Sequence, residues 1–295
     1  MSDVAPFPQS FSIEVLASHH LPGVLAALTE AHGAGFDEPW FDWKHRRNPV
    51  SPSPGWVAVD DEGVIGVRLF LPWRFARERN TLRALRPCDT VTVVRARGRK
   101  VFQALTTHAL REVGRAADLI FNTPNSQSLP GYLKMGFSPW TAVRQYVGVA
   151  PIRRAALIRD RTALPGQLSR GAMSTVADRA FLEWRYEQIP HRTYEVAALA
   201  NASAPAGAIY RMRAWRGIRL LVLAEVWGEG RDLRALLGAL AWQERAPLLR
   251  IAAGKTFLPL LRAEGKATTV THKPLTPTSP LPPPQLSIGD IEDVL

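Results

Sequence analysis

Between residues 21 and 32, "LPGVLAALTEAH", the apolar positions Leu21, Val24, Leu25 and Leu28 recur at helical spacing and predict an amphipathic helix. The pattern then changes. "GWVAVDDEGVIGVRLFLPWRF" (55–75) holds two apolar runs separated by Asp61-Glu62-Gly63, the pattern of a β-hairpin. "DTVTVV" (89–94) predicts another strand, followed by a short basic loop and a helix over 99–116 that turns Phe102, Leu105, Ala109, Val113 and Ala116 inward. "DLIF" (118–121) predicts a short buried strand. "NTPNSQSLPGYLKMGF" leads through a loop and a short helix to a strand near 140–149. Helices alternating with strands in this order predict a mixed α/β domain over residues 1–150.

The second half echoes the first. "FDWKHRRNP" (41–49) and "FLEWRYEQIP" (181–190) each place a basic residue after Trp and a Pro five positions later: Trp43-Lys44 with Pro49, and Trp184-Arg185 with Pro190. After each comes a strand, a turn and a second strand that begins at glycine. "IRLLVLAEVW" (218–227), a helix over 231–245, "LLRIAA" (248–253), a helix over 256–264 and a strand over 267–272 complete the second set. The expectation is a duplicated α/β unit: a first domain at 1–150, a linker at 151–172, a second and degenerate domain at 173–273, and a proline-rich tail at 274–295 whose end, "LSIGDIEDVL", regains apolar alternation and can dock back.

Composition narrows the class. The hydrophobic fraction of 46% supports a packed core, and no apolar run reaches the ~18–20 residues that cross a bilayer. "MSDVAPFPQS" lacks the basic start and apolar stretch of a secretory signal. A single cysteine, Cys88, leaves no internal disulfide and no cysteine-based metal cluster. A cytoplasmic protein is the expectation. The net charge is +11, but only six of the 37 basic residues are lysine and the arginines are spread along the chain. That spread reads as genome composition rather than as a nucleic-acid footprint, so neither nucleic acid nor membrane is expected as a partner. His19-His20 reads as a surface pair without carboxylate partners at ligand spacing. Cys88 has no histidine partner in sequence, which argues against a thiol nucleophile.

The chemistry concentrates at "VRARGRKVF" (94–102). A strand, a short loop and a helix start direct several backbone N–H groups at one point, where the helix dipole favours an anion. Gly98 allows close approach, and Arg97, Arg99 and Lys100 add charge. The same residues also describe a solvated basic turn that holds nothing. Downstream, Asn125, Ser128, Tyr132, Gly136 and Phe137 are spaced N-x-x-S-x-x-x-Y-x-x-x-G-F. Together with "RGRKVF" after a strand, this resembles the GNAT acyltransferase superfamily, whose diphosphate loop reads R/Q-x-x-G-x-G/A and whose second motif is close to N-x-x-A-x-x-x-Y-x-x-x-G-F. "DTVT", "FNTPN" and "GYLKMGF" look like a tandem bacterial subgroup associated with polysaccharide or natural-product pathways. The loop departs from the family pattern. Lys100 stands at the central glycine and Phe102 at the final Gly/Ala, which implies either weakened cofactor binding or binding with altered contacts.

The resemblance implies an α/β fold of two tandem GNAT-like mixed-sheet domains and an acyl-CoA-dependent N-acyltransferase. Acetyl-CoA or another acyl-CoA is then the cosubstrate, with no metal, and an amine of a small molecule or amino sugar is the acceptor. It implies that Thr92, Val93 and Val94 line the pantetheine arm and that Arg97, Gly98, Arg99, Lys100, Val101 and Phe102 face the phosphates. Asn125 and Ser128 support the cofactor or cap the short helix, Tyr132 serves the sulfur, and Asp89 is the candidate base or else a salt-bridge partner. Cofactor binding is expected in the first half, because "GEGRDLRAL" in the second lacks the basic first position. Two further readings stay open: a peptidoglycan-type transferase using aminoacyl-tRNA, and an inactive GNAT-fold binding protein. A homodimer is compatible with all three.

Overall fold

The computed structural model describes residues 11–168, 171–252, 261–276 and 280–291. The chain divides into two compact units. The first comprises Met1–Trp73, Arg83–Ile120 and Pro274–Pro277; the second comprises Arg74–Leu82, Phe121–Lys273 and Thr278–Leu295.

In the first unit, β1 (Ser12–Val15) is followed by α1 (Leu21–His32) and a single turn, α2 (Glu38–Phe41). Strands β2 (Gly55–Asp60), β3 (Gly63–Arg77) and β4 (Asn80–Thr92) lead to α3 (Val101–Glu112) and β5 (Leu119–Asn122). The strand order is β1-β2-β3-β4-β5. β1 pairs β2 and β2 pairs β3 antiparallel, while β4 and β5 are parallel. That parallel pairing is confined to Ala84 with Leu119 and Leu85 with Ile120, and β4 then runs on to Thr92 without its neighbour. The two strands therefore part after Leu85 and Ile120.

The second unit holds α4 (Leu129–Lys134), β6 (Ser138–Val149), the short strands β7 (Leu157–Ile158), β8 (Gln167–Leu168), β9 (Met173–Thr175) and β10 (Ala177–Asp178), and the turn α5 (Arg179–Leu182). Then come β11 (Glu195–Leu199), β12 (Gly207–Trp215), β13 (Ile218–Trp227), α6 (Gly230–Gln243), β14 (Leu248–Ala252), β15 (Leu261–Pro274) and α7 (Ile288–Ile291). Its strands run β15-β6-β14-β13-β12-β11-β7, and only β13 with β14 is parallel. One face buries Tyr210, Leu221, Leu223 and Leu249 against Leu233, Leu236, Leu237 and Leu240 of α6. On the other face Ile288 of the tail covers Leu220 and Val222.

The echo read from sequence has a local structural cause. Asp37 accepts a hydrogen bond from the Trp40 amide at 2.9 Å, and Asp178 accepts one from Phe181 at 2.9 Å. Each carboxylate caps a one-turn helix that widens into a π-helical turn, Asp42–Arg46 in one unit and Glu183–Glu187 in the other. The wide turns bury Trp43 and Trp184, and with them Lys44 and Arg185. A strand–strand–strand–helix–strand order then follows in both units.

Several boundaries differ from expectation. β4 starts at Asn80 rather than Asp89 and ends at Thr92, leaving Val93 and Val94 outside the strand. Val101 takes the inward place at the start of α3, while Phe102 and Ala116 are exposed. Residues 261–264, expected as the end of a helix, are strand in β15; the rest of that expected helix lies outside the described residues. The tail does dock back through Leu286, Ile288 and Ile291; 292–295 lie outside the description.

Candidate active site

The loop after β4 is built from tight turns. The Val93 amide donates to Ile65 O at 3.0 Å, and Val94 donates to the Glu30 carboxylate at 2.7 Å. Both N–H groups are spent inside the protein, so they cannot pair with a pantetheine arm without leaving these partners. Thr92 offers the opposite: its hydroxyl is buried and finds no hydrogen-bond partner among the described residues. Arg97 N and Arg99 N close turns onto Val94 O and Ala96 O. Gly98 then adopts φ 83°, a left-handed conformation natural to glycine. Lys100 follows at φ 60° and ψ 20°, also left-handed, as the residue preceding α3.

Lys100 therefore has the backbone that a glycine would supply, although an L-residue there costs ~1–2 kcal/mol. No side chain caps α3, so the N–H groups of its first turn remain available to an external acceptor. The charges around them are not all aimed at a ligand. Asp60 holds Arg95 through contacts of 2.8 and 3.0 Å, and it also holds Arg99 at 2.9 Å. The Arg95 hydrogen bond in particular keeps the Asp60 carboxyl well below the usual carboxylate range. Arg97 is exposed, with no partner among the described residues, and is the loop's free cation.

Asp89 has been drawn into a buried cluster. It sits in β4 at φ 45°, a local irregularity that turns the strand. Lys44 Nζ lies 2.8 Å from its Oδ1 and 2.7 Å from Oδ2, and His45 Nε2 lies 3.0 Å from Oδ2. Burial alone would raise the Asp89 carboxyl; the Lys44 charge and the His45 hydrogen bond overcome that and hold it far below normal. Burial in turn pushes the His45 imidazole down, against the pull of Asp89. His45 Nδ1 is 3.0 Å from Ser53 Oγ. These contacts span 45 and 44 residues of sequence, and sequence reasoning did not find them. The only hint lay in the basic position shared by the two Trp-containing segments.

Cys88, Asp89 and His45 come together here, so the cysteine does have a histidine neighbour. Burial raises its thiol well above normal, which leaves it protonated and a poor nucleophile. His20, expected at the surface, is buried with Nε2 3.2 Å from Glu14 and Nδ1 accepting from the Ala17 amide.

The cluster sets a pH dependence. Asp89 and His45 both have folded pKa values below their unfolded ones, so the unfolded chain binds protons first as pH falls. Stability is therefore expected to be greatest near neutrality, to decline below ~6.5 as unfolded histidine protonates, and to fall further below ~4. His272, also lowered by burial, adds to the first decline. Urea melts at pH 7.5, 6 and 5 read this directly, and His45→Gln should flatten the first step. Equal stability at pH 7.5 and 5 would contradict it.

The second motif is explained by its own turn in the second unit. Asn125 Oδ1 accepts from the Gln127 amide at 3.0 Å, the Ser128 amide at 2.9 Å and Ser128 Oγ at 3.0 Å, a turn that leads into α4, whose own N-cap, Ser128, makes no side-chain cap bond. Tyr132 is buried on α4, with its ring edge-on to Phe137 at 5.0 Å. Gly136 at φ 82° ends the helix left-handed, which lets the Phe137 amide return to Tyr132 O at 3.1 Å. The Asn and Ser of the motif thus form the turn that leads into the short helix, and the Tyr, Gly and Phe form its body and its end.

Residues 13–140 match the family model described as an acetyltransferase (GNAT) domain. No curated protein matches the chain. Among solved structures, it is similar to a conserved protein of unknown function from Enterococcus faecalis V583, described as a probable N-acyltransferase. The TM-score is 0.72 at 10% identity, covering 90% of this chain and 72% of that one. A GCN5-related N-acetyltransferase from Anabaena variabilis ATCC 29413 gives 0.70 at 12%, covering 90% and 73%. Eis1 from Mycobacterium abscessus gives 0.62 at 14%, covering 90% and 73%. At these identities the likeness is one of fold: α/β, with two GNAT-like mixed-sheet halves. No helix among the described residues is long and apolar enough to cross a membrane.

Proposed function

We propose that the chain is an N-acyltransferase that moves an acyl group, acetyl in the first instance, from a coenzyme A thioester to an amine of a small molecule or amino sugar. The observation that carries this reading is the uncapped start of α3 behind two left-handed residues, Gly98 and Lys100, with Arg97 unpaired among the described residues beside it. Backbone N–H groups of Val101 and Phe102 would hold the diphosphate, aided by the helix dipole and the Arg97 guanidinium. Because Lys100 keeps the glycine-like backbone, its ammonium adds a contact rather than closing the loop. Thr92 Oγ, buried and without a partner, is the donor or acceptor that β4 offers to the pantetheine arm.

Transfer is direct. The amine nitrogen attacks the thioester carbonyl, the C–S bond breaks, the amine loses a proton and the thiolate gains one. Holding donor and acceptor in register supplies much of the acceleration. Tyr132, at the tyrosine of the second motif, is assigned to the leaving sulfur. Asp89 is pinned under Lys44 and His45, so its proposed part is to orient those two groups rather than to take the acceptor's proton. Residues 1–150 form the catalytic domain in this reading, and 173–273 form a degenerate copy that shapes the acceptor side.

Titration calorimetry with coenzyme A tests the proposal. Arg97→Ala is expected to weaken binding ~10-fold, the value of one charge-assisted contact to phosphate. Unchanged affinity in a folded Arg97→Ala protein would remove the loop from the binding site.

A further inference from the structure

The second unit carries a cationic face that acyl transfer does not use. In the strand register, Arg211 of β12 lies opposite Val222 of β13, and Val222 lies opposite Arg250 of β14. The two arginines therefore stand on one face, two strand spacings apart, ~9–10 Å between backbones. Arg213 is two residues along β12 and points the same way. Leu220, Val222 and Leu248 of that face are the residues that Ile288 covers, so it is the side away from α6. Arg192, in the loop before β11, joins the group, and the Tyr194 ring lies 5.8 Å from the Arg211 guanidinium.

Glu264 pairs with Arg250 at 2.6 Å. Arg192 Nη1 and Arg250 Nε are buried from water and meet no hydrogen-bond acceptor among the described residues. Arg213 is exposed and has no partner among them. The cost is visible at Arg211: burial, and the charges of Arg213, Arg192 and Arg250 against the pull of Tyr194, lower its guanidinium to about 10. Like charges held together with buried, unmatched donors are what an anion would relieve. A monovalent ion meets only part of a cluster drawn from two strands and a loop; two adjacent anionic groups reach across it.

We propose that this face of the second unit binds a small ligand carrying a diphosphate, gripped by Arg192, Arg211, Arg213 and Arg250. The site is independent of the acyl-transfer reading and stands if that reading fails.

Inorganic pyrophosphate is the probe, at low salt, with thermal unfolding and calorimetry as readouts. Arg97→Ala is the background, because it weakens the other anion site and separates the two. In that background pyrophosphate is expected to raise the unfolding midpoint saturably. Adding Arg192→Ser and Arg213→Ser should weaken the effect ~10-fold or more. Arg97→Ala with Arg213→Ser alone, which alters only an exposed side chain, should move the response in the same direction and lose no stability without the anion. An equal response with and without the serine substitutions would overturn the proposal, as would no response in the Arg97→Ala background. Binding of a single-stranded oligonucleotide through these arginines, with pyrophosphate inert, would also overturn it and make the face a nucleic-acid surface.

Discussion

Tyr132→Phe is expected to lower kcat ~100-fold or more while leaving KM for the acyl thioester nearly unchanged, the signature of a lost proton donor or hydrogen bond to the departing sulfur. The ring is buried on a short helix that is entered through the Asn125 turn and whose end is set by Gly136. Phenylalanine preserves that packing and the edge-on contact with Phe137, so the fold should lose only ~1 kcal/mol. Steady-state rates with acetyl-CoA and an amine acceptor, beside a urea melt, separate the two effects. A full rate in the variant would show that the phenol is there for packing alone.

The largest effect on stability is expected at Lys44. It lies 2.7–2.8 Å from both oxygens of Asp89, and both side chains are nearly sealed from water. Lys44→Met strips the carboxylate of its ammonium and leaves it beside the His45 imidazole, which burial keeps towards the neutral form. Breaking a buried pair from one side costs ~3–5 kcal/mol, because the remaining charge stays desolvated. Replacing both partners, Lys44→Met with Asp89→Leu, should cost less than Lys44→Met alone, since no charge is then stranded. Chemical denaturation of the two variants decides this. With Asp89→Leu measured alone as well, a double variant that loses as much stability as its two singles together would mean that the pair has no private coupling.

The same cluster shows where sequence reading runs out. The apolar alternation of 55–75 was enough to place β2 and β3, and the spacing of 21–32 was enough for α1, because burial of one face imposes the period. The early part of β4 was hidden because Arg83, Arg86 and Pro87 interrupt its alternation, yet Ala84 and Leu85 are buried there against β5. Helical spacing puts Phe102 inward with Leu105 and Ala109, but the buried face runs through Val101, Leu105 and Ala109, so Val101 fills the core and Phe102 meets the Arg68 guanidinium at 5.6 Å. Motif residues close in sequence, such as Asn125 and Ser128, carry their geometry with them, although their bonds form a turn ahead of α4 rather than the cap that the sequence suggests. Contacts such as Lys44 with Asp89 or Arg95 with Asp60 join distant segments, and nothing in local spacing encodes them. The left-handed backbone of Lys100 was equally hidden, since a lysine gives no sign that it stands where glycine would.

The most direct test is a crystal structure of the protein grown with coenzyme A. The account predicts diphosphate oxygens within hydrogen-bonding distance of the Val101 and Phe102 amides, with the Arg97 guanidinium beside them. A diphosphate bound elsewhere, leaving the start of α3 in solvent, would contradict it.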